Sequence, residues 1–199
     1  MITRKETLRY LGYESENVDE NTLMLLDECE KLLLKTARPN HTYKVFNLMF
    51  GEGSIIDMGV FRVESKVLKR NLSECSKVVI FAATLGPRVD ILLQKYSKIS
   101  SSKAVVLQAS AASMLEDYID EKEEILKEEF GEEGLFLRPR FSPGYGDLSL
   151  EYQKDIFRLL DLPRKIGATL TDNLIMAPSK TVTAFIGLSK VDKNVCDYK

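Results

Sequence analysis

The segment Arg-Phe-Ser-Pro-Gly-Tyr at 140–145 places a cation, a tight turn and an aromatic ring within one short stretch. The guanidinium of Arg140 suits a carboxylate or phosphate, which it binds by two parallel hydrogen bonds. Gly144 lets a ligand approach the main chain, and Pro139 and Pro143 limit the entropy lost on binding. Tyr145 offers a flat face to an aromatic ring or a cation. A zwitterionic nucleoside such as S-adenosylmethionine carries a carboxylate, an adenine and a sulfonium, and has a use for each of these groups. The same residues also suit a plain turn, in which Arg140 pins an internal acid and Tyr145 packs under a sheet.

Other chemistries find less support. His41 is the one histidine of the chain, so a Ser-His or Cys-His relay would have to run through it. It lies in Ala-Arg-Pro-Asn-His-Thr-Tyr, which reads as a turn, and no partner stands at a telling spacing. The cysteines, Cys29, Cys75 and Cys196, are odd in number and widely spaced, and spell neither a disulfide framework nor a zinc site. A formal charge of -2 gives no basic field for nucleic acid. No apolar run reaches the ~18–20 residues of a membrane span. The opening Met-Ile-Thr-Arg-Lys-Glu lacks the apolar stretch of a signal peptide, so the expected location is the cytoplasm.

The elements that must position the loop are readable in part. Thr3 caps a short helix closed by Gly12, and Asp19 or Asn21 opens a second that ends before Pro39. Residues 42–50 read as a strand, with one or two short strands after the Gly-Glu-Gly turn, and Ser65 begins a helix to about Leu72. Val78–Ala83 is a continuous apolar run, predicting a strand covered on both faces. It runs into Gly86-Pro87 and a helix, with no phosphate-loop or dinucleotide fingerprint. Residues 101–130 form the longest helix, apolar in its first half and charged in its second, with Glu123–Lys127 as an i,i+4 pair and Glu116 at the changeover. Asp147 or Ser149 caps the next helix, whose apolar face is Leu150, Ile156, Phe157 and Leu160. Arg-Lys-Ile-Gly-Ala-Thr-Leu reads as a strand, the segment 171–180 as irregular, and 181–188 as a closing strand. Strict strand-helix alternation is missing, so the expected fold is α+β: a largely antiparallel twisted sheet flanked by helices, in a single domain over 1–199.

Two segments carry a resemblance to a known family. Arg140–Lys154 resembles the Arg-x-x-Pro-Gly-Tyr signature of the activation domain of cobalamin-dependent methionine synthase. Residues 166–189, with Leu-Thr, Met-x-Pro and a closing Thr-Val-Thr-Ala strand, are similar to that family's last motif, in matching order and spacing. Phe-Ala-Ala-Thr-Leu-Gly at 81–86 and the small-residue helix ending in Glu116 also resemble the family, and the opening Lys-Glu-Thr-Leu-Arg-Tyr-Leu-Gly-Tyr is like the start of its free-standing, single-domain members. The specific part is 140–189, and residues 1–75 match only loosely.

The resemblance implies a domain that binds S-adenosylmethionine and docks on the cobalamin-bearing part of methionine synthase. There a flavodoxin-like reductant supplies an electron, and the sulfonium methyl restores methylcobalamin. It implies that Arg140 grips the methionyl carboxylate, that the main chain near Ser142, Pro143 and Gly144 reads the adenine, that Tyr145 lies close to the corrin, and that Glu116 stands near the ligand's cationic end. Methyl transfer of this kind needs alignment rather than a general base, which agrees with a site that has no histidine. The chain departs from the family in lacking a histidine after Gly-Tyr, where Leu150-Glu151-Tyr152 follow, and in offering only Tyr198 as a C-terminal aromatic. The Asp-x-His-x-x-Gly motif of cobalamin ligation is absent, so cobalamin is expected only through a partner chain, with the protein contributing a binding function to a methyltransferase system. The alternative is a docking module for a corrinoid protein that has no ligand of its own. A small-molecule methyltransferase would call for a Gly-rich Rossmann loop, which the sequence lacks.

Overall fold

A computed structural model describes residues 3–13 and 18–192. Cys196 and Tyr198 lie outside the described residues. The chain opens with helices α1 (Arg4–Tyr10) and α2 (Glu20–Thr36), then strands β1 (Asn40–Asn47), β2 (Met49–Phe50), β3 (Ile55–Asp57) and β4 (Arg62–Glu64). Helix α3 (Lys66–Asn71), strand β5 (Cys75–Thr84) and helices α4 (Pro87–Ile99) and α5 (Ser101–Gly131) follow. The last third holds β6 (Phe136–Leu137), α6 (Tyr152–Leu160), α7 (Leu162–Ile166), β7 (Thr169–Leu170), β8 (Met176–Ala177) and β9 (Thr181–Ser189).

The apolar run at 78–83 becomes the middle of β5, which pairs antiparallel with β1 on one side and β9 on the other. With β6 on the far edge the main sheet has the order β1-β5-β9-β6, so the antiparallel expectation holds. Period-2 alternation splits β5 between two cores. Val79, Phe81 and Ala83 pack with α2, α4 and α5. Val78, Ile80 and Ala82 pack with α3, α6, α7 and the small sheet β2-β3-β4. Helices therefore cover both faces, and a sheet-on-helix layer stands on each side.

Local signals explain several boundaries. Asp19 accepts from the Thr22 N–H at 3.0 Å and caps α2, and Ser65 accepts from the Leu68 N–H at 2.9 Å and caps α3. Pro87 sits in the first turn of α4. Buried residues on α5 are dense up to Leu115 and sparse beyond, as its composition predicts.

Other expectations are corrected. His41 is not in a turn; it is the second residue of β1, because Asn40 and His41 find backbone partners in Thr84 and Ala83. The predicted strand at 42–50 is broken, since Met49 and Phe50 leave the main sheet to pair with β3. Arg164, Lys165 and Ile166 belong to α7, not to a strand: Pro163 sits in its first turn and Gly167, at φ +69°, ends it, leaving only Thr169–Leu170 extended. Leu150 precedes α6 and is exposed.

Candidate ligand-binding site

The loop is built on the edge of β9. Past β6 the chain stays against that strand without regular pairing. The Arg138 N–H donates to the Gly187 carbonyl at 2.8 Å, and Phe141 and Phe185 exchange both main-chain hydrogen bonds at 2.9 Å. Arg138 and Phe141 are buried, whereas Arg140 between them is half-buried. From Ser142 the chain folds back on itself: the Tyr145 N–H donates to the Ser142 carbonyl at 3.2 Å, Leu148 N–H to Tyr145 at 3.0 Å, and Gly144 N–H to Leu148 at 2.9 Å. Gly144 has φ +94°, and a Cβ there would stand 3.2 Å from Leu150 Cδ1, so the tip accepts only glycine without strain.

Asp147 holds the other end of the loop. Its carboxylate accepts from the Ser65 hydroxyl and from the Lys66 and Val67 N–H groups, the latter two at 2.7 and 3.2 Å. Asp147 thus caps α3 from a distance, beside Ser65, rather than the helix that follows it. Helix α6 begins with Glu151 at its cap position and no side-chain cap hydrogen bond. The Ser65 hydroxyl and the two N–H groups hold the Asp147 carboxyl below its ordinary pKa.

Arg140 is engaged by three carboxylates of α5. Its Nη2 donates to Glu116 at 2.7 Å, and its Nη1 lies 2.8 Å from Asp120 and 3.0 Å from Glu123. The positions 116, 120 and 123 follow helical spacing, so one face of α5 presents all three. Burial opposes the charge on Arg140, yet Glu123, Asp120 and Glu116 outweigh it and raise its pKa. Glu123 is the most buried of the three, at 16% side-chain exposure, against 40% for Glu116 and 62% for Asp120. Burial pushes the Glu123 pKa up despite its contact with Arg140, and its Oε1 is buried with no hydrogen-bond partner. Glu123 therefore faces Arg140, while Lys127 forms its salt bridge with Glu124 instead. One guanidinium thus faces three carboxyl groups, so acids outnumber the cation in this cluster.

Glu116, Arg140, Ser142, Pro143, Gly144 and Tyr145 fall on one loop and the helix face beside it. Tyr145 is 70% exposed, its ring edge-on to Phe141 at 6.3 Å. It is not packed under the sheet, and most of its side chain is open to solvent. Pro143 is buried, Ser142 partly so. In the sequence Asp120 was legible only as part of a charged helix face and Glu123 only as the i,i+4 partner of Lys127; their spacing from Glu116 puts them on its side of the helix. His41 lies elsewhere: its Nδ1 is 2.9 Å from the Tyr118 hydroxyl, its ring stacks on Phe81, and burial followed by Lys122 lowers its pKa. Cys29 and Cys75 are buried free thiols. Among the described residues, no helix is long and apolar enough to cross a membrane. The loop and the helix beside it thus present an ion-paired guanidinium, an exposed aromatic ring and a glycine turn closed by its own main-chain hydrogen bonds.

No protein-family model and no curated protein matches the chain. Among solved structures, it is similar to the crystal structure of the MetH reactivation domain bound to AdoHcy, with a TM-score of 0.72 over 98% of this chain and 76% of that one. Sequence identity is 16%, so the likeness is one of fold: this chain has the mixed helical and antiparallel architecture of the reactivation domain.

Proposed function

We propose that the protein binds S-adenosylmethionine and serves, on a separate chain, the reactivation of a cobalamin-dependent methionine synthase. The observation that carries this reading is the Arg-x-x-Pro-Gly-Tyr loop, with Tyr145 exposed at its tip, on a fold shared with a reactivation domain that was crystallised with AdoHcy. Arg140 would take the methionyl carboxylate, Glu116 would face the cationic end, and the turn at Ser142–Gly144 would border the adenine. Tyr145, open to solvent, would meet the partner that carries the corrin. The methyl donor and the partner's cobalamin supply the chemistry; this chain's residues bind and orient. A flavodoxin-like protein would be the electron donor.

One observation favours a second reading. Arg140 already has three carboxylate partners, so a docking module with no ligand of its own would look the same here. Calorimetric titration separates the two. Saturable binding of S-adenosylmethionine and S-adenosylhomocysteine, lost in Arg140→Ala with an unchanged far-UV spectrum, supports the ligand-binding reading. No heat at millimolar ligand, with the protein still captured by a corrinoid protein, favours the docking module.

A further inference from the structure

The three acids around Arg140 are not equivalent. Glu123 holds Nη1 from the buried side and Glu116 holds Nη2, whereas Asp120 reaches the same Nη1 from the solvent side with 62% of its side chain exposed. A ligand carboxylate arriving from solvent needs the outward N–H groups of the guanidinium, and the one on Nη1 points at Asp120. Asp120 is itself a carboxylate, at 2.8 Å, in the place the ligand's carboxylate has to take. Removing it leaves Arg140 anchored by Glu116 and Glu123, so the guanidinium keeps its position and gains a free donor.

We propose that Asp120 is an internal competitor for Arg140: a tethered stand-in for the ligand's carboxylate that must be displaced when a carboxylate-bearing ligand binds. This rests on the reading of Arg140 as the carboxylate-binding group of an S-adenosylmethionine site. Its consequence runs against the usual expectation for a polar residue in a binding site, because losing Asp120 strengthens binding. It also makes the effect specific to the ligand's carboxylate. The competition disappears for a ligand that has none, and for such a ligand the lost negative charge is neutral or, where the ligand is a cation, unfavourable.

The test is calorimetric titration of wild-type protein, Asp120→Asn and Asp120→Ala with S-adenosylmethionine, S-adenosylhomocysteine and decarboxylated S-adenosylmethionine. Asp120 is exposed on a helix and Ala is a good helix former, so both variants are expected to fold. The expected result is roughly a two- to fivefold gain in affinity for the two carboxylate-bearing ligands, the scale of a half-exposed ion pair, with no gain for the decarboxylated compound. Unchanged or weakened binding of S-adenosylhomocysteine in both variants overturns the proposal, and so does an equal gain for all three ligands. Failure of the functional reading looks different: wild-type protein then binds none of the ligands, or Arg140→Ala binds them normally.

Discussion

At the scale of single residues, Arg140 holds the acids of α5, and on the proposed reading it also binds a ligand carboxylate; a substitution separates the two. Its planar fork can serve Glu116, Asp120 and Glu123 together, which an ammonium group cannot do in the same geometry. Arg140→Lys is expected to weaken S-adenosylmethionine at least tenfold, on the scale of one charge-assisted hydrogen bond of ~1.5–3 kcal/mol, while the protein stays folded. Titration beside a thermal melt checks both halves. Arg140→Ala also strips Glu123 of its ion-pair partner in a half-buried place. It should lower stability, and the double variant Arg140→Ala/Glu123→Gln should recover much of the loss; a melt series in which the double variant is no better than the single one would contradict the pairing. The sequence marked Arg140 and Tyr145 because their types stand out in a Pro-Gly loop. It did not mark Asp120 and Glu123, because a run of acids on a helix looks the same whether it faces water or a guanidinium from a loop more than a dozen residues on.

At the scale of elements, the site depends on two close fits. Gly187 of β9 receives the N–H of Arg138, and a Cβ there would lie 2.6 Å from Cys75 Sγ and 2.8 Å from Leu72 Cδ2. Gly187→Ala is expected to cost ~1–3 kcal/mol through overpacking, read as a lower urea midpoint with an unchanged slope. The second fit is Asp147 on α3. Asp147→Ala should speed hydrogen exchange at Lys66 and Val67, whose N–H groups lose their acceptor, and at the 144–148 turn; unchanged protection at both places would show that the turn holds itself. Elements with their own local signals were legible: the capped helices α2 and α3, the apolar β5, the Pro-started α4. Those set by distant partners were not. His41 becomes strand because Ala83 lies opposite, and Asp147 caps a helix 80 residues earlier rather than the next one. Nothing within a few residues of either announces this.

At the scale of the whole molecule, β1 ties the sheet's edge to the second half of α5, through His41 on Tyr118 and Tyr43 on Glu129. The lowered pKa of His41 gives this layer a pH signature. Folded protein resists protonating His41, so its contribution is complete above the ordinary value of 6.5 and is lost as pH falls through the interval down to the folded value. Melting temperature should therefore decline as pH drops below about 6.5 more steeply in wild type than in His41→Gln; parallel curves would remove the histidine from the account. The α+β class was legible because apolar runs and helix caps together fix the number and kind of layers, whereas strand order was not, since pairing joins segments from 30 to 114 residues apart. The strip from Phe136 to Phe141 has one more consequence. It lies along β9 from Phe185 to Ser189, the half of that strand whose outer hydrogen-bonding groups would otherwise be open to another chain. The segment that carries Arg140 is also the sheet's protective hem. Any change that frees the loop to gain reach or adaptability unpicks that hem, so sequences that loosen it are drawn toward self-association, and solubility limits how far the loop can diverge.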